Sequence, residues 1–133
     1  MKKKILIIED DQVVRENTAE ILQLANYEVI TAENGKVGLE KTTFFKADLI
    51  ICDILMPELD GYGVMQIIAR NRSLQRIPVI FMSAKTKHED IRRGMDLGAS
   101  DYITKPFEES DLLSAVASRL KRKEIMENSD QRD

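Results

Sequence analysis

Five short apolar runs, at residues 5–8, 29–30, 49–52, 77–82 and 102–103, recur along the chain, each followed by a segment with helical patterning. This alternation constrains the fold more than any other feature. Strand, crossover helix and strand repeated in that order build a parallel sheet with helices on both faces. The runs at 5–8, 49–52 and 77–82 are nearly continuous in apolar residues, as strands buried on both faces should be. Those at 29–30 and 102–103 are shorter and more polar, which suits sheet edges. In the first helical segment Val14, Thr18, Ile21, Leu22 and Ala25 fall at i, i+4, i+7, i+8 and i+11, one face of a helix. Val64, Ile67 and Ile68 repeat the pattern after Gly61, as do Leu113, Val116 and Leu120 after the acidic start Glu108-Glu109. The segments 35–44 and 88–97 carry weaker patterns, and Gly98 sits where a C-terminal cap fits. The reading is an α/β fold, a doubly wound (βα)5 unit with a five-stranded parallel sheet in the common order 2-1-3-4-5.

At 133 residues the chain is of single-domain length. Hydrophobic residues at 43% and charged residues at 32% exclude a disordered chain and describe a small core under a charged surface. Twenty Lys and Arg against 23 Asp and Glu leave a net charge of −3, without the basic footprint of a nucleic-acid-binding domain. With no Trp, three Tyr and four Phe, few platforms exist for stacking single strands. The basic start Met1-Lys2-Lys3-Lys4 is followed by only four apolar residues before Glu9-Asp10-Asp11, too few for a signal peptide. All apolar runs are of strand length, far short of a membrane span. The expectation is a cytoplasmic chain that binds neither membrane nor nucleic acid directly.

In an open parallel sheet, ligands bind beyond the carboxyl ends of the strands, where strand order reverses. The residues just past the runs are Glu9, Asp10 and Asp11; Asp53; Ser83; and Lys105-Pro106. With strands one and three adjacent, Glu9, Asp10 and Asp53 share one crevice. Clustered carboxylates repel unless one is protonated or a cation intervenes. Oxygen-only donors suit a hard cation such as Mg²⁺. Carboxylate, Mg²⁺, lysine and hydroxyl are the parts of a phosphoryl-transfer site. Asp53, alone at the end of a buried strand, is the best acceptor, and Glu9 with Asp10 the better metal mount.

At these residues the sequence resembles the receiver domain of bacterial two-component response regulators. The resemblance rests on residues 5–11, Asp53 to Gly61, Ser83-Ala84 and Lys105-Pro106-Phe107, and covers about residues 3–121. It implies a flavodoxin-like fold and a Mg²⁺-dependent phosphorylation of Asp53 by a sensor histidine kinase or phosphotransfer protein. Metal ligands would be Glu9 (through water), Asp10, Asp53 and the backbone carbonyl of Leu55. Ser83 and Lys105 would contact the phosphoryl group, and Ser83 with Tyr102 would form the switch. The Lys105–Pro106 bond would be cis. The face made by the fourth helix, fifth strand and fifth helix would then change and act on an output domain or downstream protein. A homodimer through that face is a further partner class. Ile91, Leu97, Ser100 and Ala115 stand where one dimerising subfamily carries charges, which argues against that particular dimer. Such a chain is a signalling domain, not an enzyme in the ordinary sense.

Other features have simpler readings. Asp11 divides evenly between helix cap and site periphery. Cys52 alternates away from Asp53 and reads as a buried, inert thiol. His88, the only histidine, lies among charges and reads as solvated. Gly35-Lys36 lacks the upstream glycine of a P-loop. A flavin binder would need phosphate-cradling groups where Glu9-Asp10-Asp11 stands, and an aspartate-nucleophile phosphatase would need Asp-x-Asp there. Residues 1–121 are expected to form the receiver, and 122–133 a charged C-terminal tail or the start of a linker, so that the chain is either a stand-alone receiver or a fragment of a longer regulator.

Overall fold

The computed structural model describes residues 1–130. Its strands are β1 (Lys4–Ile8), β2 (Glu28–Ala32), β3 (Leu49–Cys52), β4 (Val79–Ser83) and β5 (Asp101–Thr104). The helices that alternate with them are α1 (Gln12–Leu24), α2 (Gly35–Lys41), α3 (Gly61–Ala69), α4 (His88–Asp96) and α5 (Glu109–Asp130). All strand pairs are parallel and the order is β2-β1-β3-β4-β5, the doubly wound order. The short polar runs form the two edges.

Alternation along the strands divides the core in two. Leu6, Ile8, Ile50, Cys52, Val79 and Phe81 point to one side and pack against Tyr62, Val64, Met65 and Ile68 of α3. Ile5, Ile7, Leu49, Ile51, Ile80 and Met82 point to the other and meet Leu22 of α1 and Leu112, Val116 and Leu120 of α5. Burying a Leu or Ile side chain is worth about 1.5–3 kcal/mol, so register errors that turn these strands over are strongly disfavoured.

Helix starts follow the capping chemistry. Asp11, Asn34 and Asp60 accept from the amides of Val14, Val37 and Gly63 respectively. Gly98 closes α4 with φ 107°, a left-handed conformation that costs glycine little. At Gly61 a Cβ would stand 2.4 Å from the Asp53 carbonyl oxygen, so α3 can begin this close to β3 only on a glycine.

Boundaries differ from the sequence reading at several points. β4 starts at Val79 rather than residue 77, because Pro78 has no N–H for the ladder; its carbonyl still accepts from the Ile50 amide at 3.0 Å. Ser83 is the last residue of β4, paired with Thr104. α2 stops at Lys41, where the Thr42 and Thr43 hydroxyls donate to the carbonyls of Leu39 and Glu40. Met65 is buried in α3 while Ile67 is exposed. α5 passes through residue 121 without a break. Of the expected tail, 122–130 is helical, and 131–133 lies outside the described residues. Among the described residues no helix is long and apolar enough to cross a membrane.

Candidate functional site

The carboxyl ends of β1, β3, β4 and β5 converge on one cleft. Register does the positioning: Ile8 pairs with Cys52, so Glu9 and Asp53 leave adjacent strands at the same level. The Asp53 amide donates to the Ile8 carbonyl at 2.9 Å, and the Lys105 amide to the Ser83 carbonyl at 2.8 Å. Glu9, Asp53 and Ser83 are buried, whereas Asp10 is exposed at the mouth. One oxygen from each of Glu9, Asp10 and Asp53 lies within 4.8 Å of the others. The Asp11 carboxylate caps α1, accepting from the Val14 amide at 3.0 Å, which favours the cap reading of its side chain, while its amide donates to Glu9 Oε2 at 3.2 Å.

Lys105 supplies the opposing charge. Its ammonium is ion-paired with Glu9 Oε1 and lies 3.5 Å from Asp53 Oδ2. The Lys105–Pro106 bond is cis. Burial pushes the Glu9 carboxyl up to about 7 from 4.5; the Lys105 hydrogen bond works against this, and the hydrogen bond and charge of Asp53 add to it. Clustered carboxyls of this kind repel unless one holds a proton or a cation intervenes. The deprotonated all-oxygen donor set of Glu9, Asp10 and Asp53 fits a hard divalent cation.

On the opposite rim, Ser83 Oγ accepts from the Lys85 amide at 3.2 Å. The Tyr102 hydroxyl donates to the Lys85 carbonyl at 2.8 Å, and its ring meets Phe81 edge-on with centroids 6.2 Å apart. Burial raises the Tyr102 phenol above its ordinary value, and hydrogen bonding with Ser83 works the other way. The Leu55 amide donates to Asp53 Oδ1 at 3.3 Å, and the Leu55 side chain is half exposed. Cys52 is fully buried, its thiol pushed up first by burial and then by the charges of Asp53, Glu9 and Asp60. His88 is exposed at the start of α4.

Sequence reasoning passed over Tyr62. Its hydroxyl donates to the Asp90 carbonyl at 3.1 Å, the Arg93 guanidinium lies 4.2 Å from its ring centroid, and its ring meets Phe81 at 5.8 Å. With the Lys85–Asp90 ion pair at 3.5 Å, these contacts fasten the first turns of α4 to α3 and to the β4–α4 connection. A buried tyrosine's need for a hydroxyl partner was the available signal.

A family model described as the response regulator receiver domain matches residues 5–117. The nisin biosynthesis regulatory protein NisR of Lactococcus lactis subsp. lactis is 41% identical over 124 residues, covering 93% of this chain and 53% of that protein. The alkaline phosphatase synthesis transcriptional regulatory protein PhoP of Bacillus subtilis (strain 168) is 35% identical over 125 residues, covering 94% and 51%. The crystal structure of a CheY-like response regulator receiver domain protein from Methanospirillum hungatei JF-1 aligns with a TM-score of 0.88 and 28% identity, covering 95% of this chain and 99% of that one. The chain spans about half the length of the curated relatives it matches.

Proposed function

This chain belongs to the response regulator receiver domain family, whose general function is phosphorylation by a histidine kinase; from that premise we propose that Asp53 is the phosphoacceptor of a Mg²⁺-dependent signalling switch. The observation that carries the reading is the convergence of Glu9, Asp10 and Asp53, with Lys105 paired to two of them. A carboxylate oxygen of Asp53 attacks the phosphorus of a phosphohistidine. The new O–P bond forms as the N–P bond breaks, and the histidine nitrogen leaves with the bonding pair. Asp10 and Asp53, the Leu55 carbonyl, and Glu9 through water would hold Mg²⁺, which supplies neutralisation of charge on the phosphoryl oxygens. Lys105 leaves its carboxylates to donate to one phosphoryl oxygen, and the Ser83 hydroxyl donates to another.

Movement of Ser83 would be read by Tyr102, which shares the Lys85 backbone with it. The α4-β5-α5 face would then bind a downstream protein or output domain differently, a local charge event biasing a two-state element. PhoP is by name a transcriptional regulator, which supports transcriptional control as the downstream process, whether this chain acts alone or within a longer regulator. In this reading residues 1–121 are the receiver, 122–133 lead toward an output or end as a tail, and the protein works in the cytoplasm.

Incubation with acetyl phosphate and Mg²⁺, read by intact mass, tests the proposal. One added phosphoryl group, lost in Asp53→Asn and in excess EDTA, is the expected result. Equal labelling of Asp53→Asn would overturn the assignment.

A further inference from the structure

The acidic pair is carried by the short connection between β1 and α1, where Glu9, Asp10 and Asp11 follow one another. Three consecutive carboxylates repel, so something must hold this backbone in the one direction that aims Glu9 and Asp10 at Asp53. Asp11 caps α1 and thereby fixes where the helix begins. The Arg15 amide then donates to the Asp11 carbonyl at 2.9 Å, closing the first helical turn. One turn into that helix the Arg15 side chain reaches back over the connection. Its Nη1 donates to the Glu9 carbonyl at 2.9 Å and to the Asp10 carbonyl at 3.3 Å.

This placement is specific. Among the described residues, the side-chain hydrogen bonds of Arg15 go to these two carbonyls and to no carboxylate. Nη1 of the half-buried Arg15 thus grips successive peptide units rather than neutralising an acid. Both bonds leave one nitrogen whose two hydrogens are fixed in the guanidinium plane, whereas an ammonium is a rotating point charge on a flexible stem, so lysine holds the two carbonyls less firmly.

We propose that Arg15 is a positioning residue for the divalent-cation mount, acting through the backbone of Glu9 and Asp10. The inference rests on the reading that this cluster holds Mg²⁺. Two effects of the guanidinium oppose each other: its charge disfavours a second cation nearby, and its hydrogen bonds hold the ligands in their binding arrangement. Positioning dominates because the bonds go to the peptide units of two proposed ligands. Loss of supports outside the ligand shell typically weakens metal binding about 10- to 100-fold.

The experiment is a Mg²⁺ titration of the full chain by calorimetry, for wild type, Asp10→Asn, Arg15→Met and Arg15→Lys, with the melting temperature in EDTA recorded for each. Arg15→Met is expected to weaken Mg²⁺ binding about tenfold, and Arg15→Lys by less. Wild type that binds no Mg²⁺, or Asp10→Asn that binds it equally well, would overturn the metal reading and the inference with it. If those two behave as expected while Arg15→Met binds Mg²⁺ as tightly as wild type or tighter, the positioning role alone is overturned. A lowered melting temperature with unchanged affinity overturns it too, since that result marks Arg15 as structural only. Should Arg15→Met fail to fold, Arg15→Lys decides on the same criterion.

Discussion

Lys105 and Glu9, 96 residues apart in sequence, are ion-paired at the floor of the cleft, and the same ammonium stands 3.5 Å from Asp53. One cation thus serves two buried carboxylates, with the exposed Asp10 beside them. Three carboxyls therefore face one ammonium, and that imbalance, with the burial that raises Glu9, governs how the protein responds to pH, cations and substitution.

Stability of the metal-free protein should fall as pH rises through neutrality. Folded Glu9 keeps its proton up to about 7, against 4.5 ordinarily. The folded state therefore binds this proton more tightly than the unfolded chain. The resulting stabilisation is complete below the ordinary value and is lost as pH rises through the raised one. The interval corresponds to on the order of 3 kcal/mol. Urea midpoints in EDTA between pH 4.5 and 8 should decline for wild type relative to Glu9→Gln; parallel profiles would contradict the assignment.

Millimolar Mg²⁺ should raise the melting temperature at pH 7.5. A ligand at a hundred times its Kd adds about 2.7 kcal/mol of stability. Asp10→Ala removes the exposed member of the cluster, so it should melt at nearly the same temperature with Mg²⁺ as with EDTA. An undiminished shift in Asp10→Ala would place the cation elsewhere.

The phosphorylated form should lose its phosphoryl group slowly. Leu55, two residues past Asp53, has a half-exposed aliphatic side chain that cannot orient an attacking water. Lys85, two past Ser83, turns its ammonium toward Asp90 and offers no acceptor. Leu55→Asn should shorten the lifetime, followed by intact mass after removal of the phosphodonor. A longer lifetime in Leu55→Asn than in wild type would refute this account.

Tyr62→Phe should cost about 1 kcal/mol in the urea midpoint at unchanged slope. The substitution deletes the hydrogen bond to the Asp90 carbonyl but keeps the ring against Phe81 and under Arg93. A net hydrogen bond is worth about that much. No change in midpoint would mean that water serves the Asp90 carbonyl equally well.

The sheet and the cleft were legible in the sequence because both depend on strand ends. Continuous apolar runs announce β1, β3 and β4, and the common doubly wound order, supported by the family resemblance, brings the residues after them together. What escaped depends on contacts between elements. The spacing that put Ile67 on the core face of α3 ignored how narrow that face is; Met65 takes the buried place. The end of α2 turns on Thr42 and Thr43 hydroxyls competing for backbone carbonyls, a local contest that periodicity does not register. Asp11 fitted two roles until the Val14 amide was seen to claim it. Tyr62 and Arg15 act on backbone carbonyls, which carry no mark in a sequence.

The last core contact of α5 is Leu120, yet the helix continues to Asp130 with Ile125 and Met126 exposed. Those ten further residues make a rod about 15 Å long. A tilt of about 10° at its root would carry its far end through roughly 3 Å, the width of a hydrogen bond. Lys123, near the root of this rod, pairs with Asp48 at 3.8 Å, so such a tilt would strain that ion pair while the far end swept the larger arc: the extension is a lever with a tether at its base.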